Sequence, residues 1–115
     1  MKIMLCSAEM ATDDVETALY IVLLPKLRRV VILEYNYDVV TGDVWAGGKV
    51  VKLKAPALVG EVEDAIEGLL REIYKPKEMH WGGCISKETG ASEEEILERA
   101  REFIRVAEFF RGLLI

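Results

Sequence analysis

The sequence has few of the residues that most often carry recognisable chemistry. Its 115 residues include no glutamine, one asparagine, one histidine and two cysteines. Two cysteines without a CxxC spacing are too few for the disulfide framework of a small secreted domain. We therefore expect Cys6 and Cys84 to be two buried thiols in a reducing cytoplasm.

Membrane signals are missing as well. The apolar run between Met1 and Ser7 is too short for a signal peptide. The longest uncharged run, Thr17–Pro25, is too short to span a bilayer. These features predict a cytoplasmic protein with no membrane partner.

The composition is typical of one globular domain from a heat-adapted organism. A chain of 115 residues has the length of a single domain, and 51% hydrophobic residues are enough for a core. Charged residues make up 30% of the chain, whereas amides are nearly absent. That balance favours surface ion-pair networks over heat-labile side chains.

The net charge of −5 is distributed unevenly along the chain. Residues 26–54 contain six Lys or Arg and three Asp or Glu, which gives this segment a net charge of +3. The acidic balance of the whole chain argues against a general nucleic-acid binder. Only this segment of the chain has a net positive charge.

Within this segment, the stretch from Arg28 to Lys54 has the alternation of a β-hairpin. Its odd-numbered apolar residues share one face: Val31, Leu33, Tyr35, Tyr37 and Val39. Thr41-Gly42 predicts a three-residue loop with a bulge. That loop would place Tyr37 opposite Trp45 and Tyr35 opposite Gly47. The alternation predicts that the tyrosine face lies in the core; an open face would instead be a stacking platform.

Two further elements are predicted before the hairpin. Lys2–Cys6 is a short apolar run that fits a first strand. Ala18–Leu24 is apolar on every side, so periodicity does not separate a buried helix from a buried strand. Thr12 or Asp13 could cap a helix, and this favours the helical interpretation.

Three elements are predicted after the hairpin. Pro56 begins an amphipathic helix that extends to about Tyr74. Glu78–Ile85 could be a fourth strand, interrupted by Gly82-Gly83. Ser92 has the spacing of a helix N-cap before a final amphipathic helix.

The resulting fold class is α+β. We expect a small single-layer antiparallel sheet built on the central hairpin, with two to three helices packed on it. The element order also fits a ferredoxin-like split βαβ arrangement with an added C-terminal helix. That fold hosts many activities and does not by itself indicate one.

The segment from His80 to Cys84 is chemically the most unusual. It combines the only histidine, a tryptophan, two glycines and a cysteine. One hypothesis is therefore a thiol-dependent enzyme in which His80 activates Cys84. The alternative is a loop with a packed tryptophan and a buried thiol. No ligand spacing indicates a metal, and no motif indicates a cofactor.

A second hypothesis concerns the open end of the hairpin, where five cations should cluster. The cluster consists of Lys26, Arg28, Arg29, Lys52 and Lys54. It would bind an anion such as phosphate, a nucleotide or an RNA backbone. Alternatively, acidic helices of the same chain or of a second subunit supply its partners.

The favoured hypothesis is a non-catalytic interaction or binding domain that forms a homo-oligomer. The last helix is apolar on more than one face near its end, which a monomer of this size has little core to cover. We expect Phe103, Phe110 and Leu114 to form the contact.

Overall fold

The computed structural model describes residues 2–53 and 62–114, which form five strands and two helices. The strands are β1 (Lys2–Ala11), β2 (Val15–Leu24), β3 (Arg29–Asp38), β4 (Val44–Lys52) and β5 (Glu78–Glu88). The helices are α1 (Val62–Tyr74) and α2 (Glu93–Leu114). The strands pair antiparallel in the order β4-β3-β2-β1-β5, so that β5 returns beside β1.

The prediction of a small sheet built on one hairpin, with a ferredoxin-like order, is wrong. The segment Ala18–Leu24 belongs to strand β2, not to a helix, and the sheet has five strands. Strand β2 is buried on both faces near its end, because Leu23 and Leu24 are 7% and 0% exposed. A strand buried on both faces has no alternation in its sequence, and for this reason the pattern did not identify it.

The helix cap predicted at Thr12 or Asp13 is also wrong. The backbones of Thr12 and Val15 exchange two hydrogen bonds, of 3.0 and 3.3 Å, around a two-residue turn. Asp13 and Asp14 occupy that turn. Aspartate is common in tight turns as well as at helix N-caps, because in both places its carboxylate can accept hydrogen bonds from nearby backbone N–H groups.

The hairpin of β3 and β4 is confirmed, but its predicted register is wrong by one residue. Tyr37 lies opposite Val44 and Tyr35 opposite Ala46. The loop has four residues, since the N–H of Asp38 donates to the carbonyl of Asp43 at 2.9 Å. The carboxylate of Asp38 accepts two N–H groups inside the loop, at 2.9 and 3.1 Å, and so fixes the longer turn.

The predicted strand at Glu78–Ile85 is confirmed and continues to Glu88 as β5. Its two glycines form a bulge, because the register with β1 shifts between Ser7 and Ala8. A Cβ atom on Gly82 would lie 2.5 Å from the Ser7 Oγ, and Gly83 has a φ of 85°. Both positions therefore require glycine.

The two helices pack on opposite faces of the sheet. On the first face, α1 covers a core of side chains from β1, β2 and β3. On the second face, α2 packs mainly on β4 and covers a smaller cluster around Leu24, Val31 and Ala100. The predicted start of α1 at Pro56 lies outside the described residues. The predicted cap of α2 is confirmed, since the Ser92 Oγ accepts the N–H of Glu95 at 3.1 Å.

Gly48 lets α2 approach the sheet closely. A Cβ atom at this position would lie 2.6 Å from the carbonyl oxygen of Ile32 and 2.8 Å from the side chain of Ile104. One of these atoms belongs to the backbone of the neighbouring strand and cannot move cheaply. The position of α2 over β4 therefore depends on the missing side chain.

We predict that Gly48→Ala lowers the free energy of unfolding by about 1–3 kcal/mol, because the added methyl group overpacks this contact. Gly47→Ala is the matched control. Its Cβ atom would meet only a side-chain carboxylate oxygen of Glu34, at 3.3 Å, and no backbone atom. Urea denaturation measures both variants. If both substitutions lower the free energy of unfolding by the same amount, the close approach of α2 at Gly48 would be contradicted.

Candidate binding face

The second face of the sheet is only half covered. Helix α2 reaches as far as β3 through Phe103, whose ring lies 6.3 Å from that of Tyr35. Beyond this contact, Tyr20, Tyr35 and Tyr37 are 52%, 45% and 44% exposed. The expectation that the tyrosine face of β3 lies in the core is therefore wrong for Tyr35 and Tyr37.

Trp45 does not join this aromatic surface. The corrected register places it opposite Asn36, whose side chain is buried on the other face of the sheet. Its ring is half-buried, and the guanidinium of Arg111 lies 5.1 Å from the ring centroid. The one-residue change of register thus moves Trp45 away from the tyrosines, as the alternation of a strand requires.

A recess lies on the open half of the second face, near the turn between β1 and β2. Two cross-strand rows build it. The first row runs Tyr37, Glu16, Ala11 and Glu78, and the second runs Tyr35, Ala18, Glu9 and His80. The small side chains of Ala11 and Ala18 leave space between large neighbours. The recess has a volume of about 420 Å³.

The recess combines aromatic and acidic groups. Two tyrosines stand on one side, and Glu9, Glu16 and Glu78 surround the rest. Within the described parts of the chain, these three exposed carboxylates have no ion pair with a cation. Nor do residues 2–53 and 62–114 contain a group of three or more His, Cys, Asp or Glu side chains that could hold a metal ion.

A second exposed surface lies on the C-terminal half of α2. Four large apolar side chains with the spacing i, i+3, i+4 and i+7 form one stripe, which we call the α2 stripe: Val106, Phe109, Phe110 and Leu113. Their exposed fractions run from 48% to 65%. Of the residues predicted to form a contact, Phe110 belongs to this stripe and Phe103 packs on Tyr35. The side chain of Leu114 lies outside the described residues.

The basic cluster gathers at the end of the sheet opposite the recess. Arg29 lies directly opposite Lys52, and Lys26 and Arg28 occupy the turn between β2 and β3. Lys54 lies outside the described residues. In the part of the chain that the structure describes, no carboxylate forms an ion pair with the side chains of these four cations. The structure thus brings together four of the five predicted residues.

An acidic residue nevertheless reaches this turn. Glu93, the first residue of α2, is only 2% exposed. Its carboxylate accepts the N–H of Lys26 at 2.9 Å and that of Leu27 at 3.2 Å. These two backbone donors offset part of the cost of burying this charge. Sequence reasoning did not single out Glu93, because Glu94 and Glu95 beside it suit a helix N-terminus equally well.

Cys84 and His80 lie on opposite faces of β5. His80 lies in the acidic recess, whereas Cys84 packs against the core beneath α1. The structure does not bring the imidazole and the thiol into one cleft. The backbone N–H of Cys84 donates to the carboxylate of Glu63 at 2.8 Å, which ties β5 to α1.

The prediction of two free thiols is wrong, because Cys6 and Cys84 form a disulfide between β1 and β5. The two residues are direct partners in the register, and their Cα atoms are 4.1 Å apart. The bond joins positions that are 78 residues apart in sequence. Such a link typically stabilises a fold by about 2–4 kcal/mol, mainly by restricting the unfolded chain.

Comparisons with protein-family models, with curated proteins and with solved structures find no match to this chain. Over the described residues, no helix combines the length and the apolar character needed to cross a membrane.

We predict that Glu93→Gln lowers the free energy of unfolding by about 1–3 kcal/mol, because the turn loses a charge-assisted acceptor. Glu94→Gln is the matched control. It removes the same charge from the same helix end, but the Glu94 side chain is exposed. Thermal and urea unfolding measure both variants. If Glu94→Gln lowers the free energy of unfolding by the same amount, the effect of Glu93→Gln comes from the interaction of its charge with the helix dipole. It would then not come from the hydrogen bonds to the turn.

Proposed function

We propose that this protein is a non-catalytic interaction domain that self-associates through the C-terminal half of α2. The observation that carries the proposal is the α2 stripe. Its four large side chains are about half exposed or more, although they have the spacing of a helix face that packs against something. A two-fold contact between two copies of α2 would bury the stripe on both.

The position of the stripe supports a broad contact rather than a narrow one. Around the helix axis, Phe103 lies between the residues that face the sheet and the stripe. Its ring contacts Tyr35, whose own ring packs edge-on against Tyr20 at 5.6 Å. The open half of the sheet beside this contact has a shallow, mostly apolar pocket lined by Ala18, Tyr20, Leu33 and Tyr35. A second copy that covers the stripe can extend over the tyrosines.

We further propose that the protein works in the cytoplasm of a heat-adapted cell. The disulfide does not contradict this location, because intracellular proteins of hyperthermophiles are often rich in disulfides. The composition, with its ionisable residues and nearly absent amides, supports the same habitat.

We predict that the Cys6–Cys84 bond is present inside the source cell. Alkylation of intact cells before lysis should then leave both cysteines unmodified, and the mass of the protein should rise by two alkyl groups only after reduction. The reduced and unfolded protein, alkylated in parallel, is the control for reactivity. Two alkyl groups on the protein from unreduced cells would contradict an oxidised state in the cytoplasm.

We predict that Phe109→Ser combined with Phe110→Ser converts the oligomer to a monomer without unfolding it, because both side chains are exposed. Sedimentation equilibrium at tens of micromolar protein and about 0.5 M salt, which screens contacts between exposed charges, measures the mass. Arg105→Ser combined with Glu108→Ser is the matched control on the polar side of the same helix turns, and it leaves the net charge unchanged. A wild-type protein that is a strict monomer under these conditions would refute the proposed function.

A further inference from the structure

We propose that the acidic recess binds the basic turn of a second copy of this chain, in a head-to-tail contact separate from the α2 stripe. Here the basic turn means Lys26, Arg28, Arg29 and Lys52, and the acidic recess means the pocket lined by Glu9, Glu16, Glu78, Tyr35 and Tyr37. The proposal goes beyond self-association through α2, because it uses different residues and a different geometry.

The recess has the chemistry of a site for organic cations. Its three carboxylates supply negative charge, and none of them has a cation partner in the described segments of the chain. Tyr35 and Tyr37 line the recess together with these carboxylates, and aromatic rings attract ammonium and guanidinium groups. The alanine floor leaves room for the alkyl stem of a lysine or arginine side chain. A recess of about 420 Å³ can hold more than one such side chain.

The basic turn has the complementary property. Its side chains are exposed or half-buried, and they lack carboxylate partners within residues 2–53 and 62–114. The guanidinium of Arg29 donates to the carbonyls of Leu27 and Arg28, at 3.0 and 3.3 Å, and this holds the turn in one shape. Glu93 already occupies the backbone donors of the turn, so only the side chains remain available to a partner.

The two surfaces cannot meet within one molecule. Strand β2 runs from Glu16 at the recess to Leu24, immediately before the basic turn. The eight rises from Glu16 to Leu24 span about 26 Å, which is more than half of the 41 Å length of the molecule. An intramolecular ion pair across that distance is excluded. A second copy of the chain is the partner that carries the complementary charges.

Such a contact is heterologous, because the recess of one copy meets the basic turn of another. Heterologous contacts extend into chains or rings, whereas the two-fold contact through α2 closes at a dimer. Being formed between exposed charges, the head-to-tail contact should weaken strongly with salt. The apolar contact through α2 should not.

The test uses two neutralised variants of the full chain. In the first, Glu16→Gln and Glu78→Gln remove charge from the recess. In the second, Arg28→Gln and Lys52→Gln remove charge from the basic turn. Each set is made in the wild-type chain and also in the Phe109→Ser, Phe110→Ser background. The head-to-tail contact can then be measured whether or not α2 forms a dimer.

Sedimentation velocity over a protein concentration series, at low salt and at about 0.5 M salt, measures the association. In each background, the protein with both charged surfaces intact is the parent. The parent should form species larger than a dimer at low salt. Each neutralised variant should weaken this association by about ten-fold. A one-to-one mixture in the α2 background should form a complex that stops at two chains, because each variant keeps one intact surface. Circular dichroism confirms that the variants remain folded.

Three results would overturn the inference. The first is a parent that forms no species beyond a dimer at low salt. The second is a neutralised recess that associates as strongly as the parent. The third is a mixture that associates no better than either variant alone. A failure of the α2 variants to change the mass would count against the proposed function only, since it leaves these three readouts unaffected.

Discussion

The constraint on which this structure depends is the mismatch between a wide sheet and a narrow helix. Five strands about 4.8 Å apart place the outer strands roughly 19 Å from each other, whereas a helix is only about 10 Å across. One helix therefore covers part of a face. On the second face α2 lies over β4 and the adjoining part of β3, and the rows from β1, β2 and β5 remain open. The exposed tyrosines and the recess both follow from this partial cover.

The side chains of the open half are adapted to that exposure. Near the covered end, the row of Val31, Val22 and Leu5 is apolar and at least half-buried. Towards the other end the rows become amphipathic, with tyrosine on β3 and carboxylates on β1, β2 and β5. A tyrosine can lie half in water because its hydroxyl remains solvated while its ring packs on a neighbour. The open half is thus amphipathic rather than an exposed core.

Local patterns predicted the elements whose signals are local. The alternation from Arg29 to Asp38 identified a strand, and the interruption predicted at Gly82-Gly83 is a bulge within β5. The cap at Ser92 was equally visible, because it needs only residues within one helical turn. These features depend on neighbours in sequence, and for this reason a single sequence contains them.

The parts that could not be predicted depend on contacts distant in sequence. Whether Leu19 lies in a helix or a strand depends on which elements cover both of its sides. The role of Glu93 requires the turn at Lys26, which is 67 positions away in the chain. The recess forms only when β5 returns beside β1 and places His80 next to Glu9. No local spacing encodes that juxtaposition.

The order of the strands also places turns of opposite charge at opposite ends of the molecule. In a meander, the β1–β2 and β3–β4 turns lie at one end and the β2–β3 turn at the other. The first two turns are joined by a hydrogen bond from Val39 to Asp14, and both are built on aspartates. The third turn is built on Lys26 and Arg28. The aspartates at the first end and the cations at the other end each belong to the local sequence of their own turns. Together they separate negative from positive charge along the strands, and the resulting electric field orients a charged partner before contact.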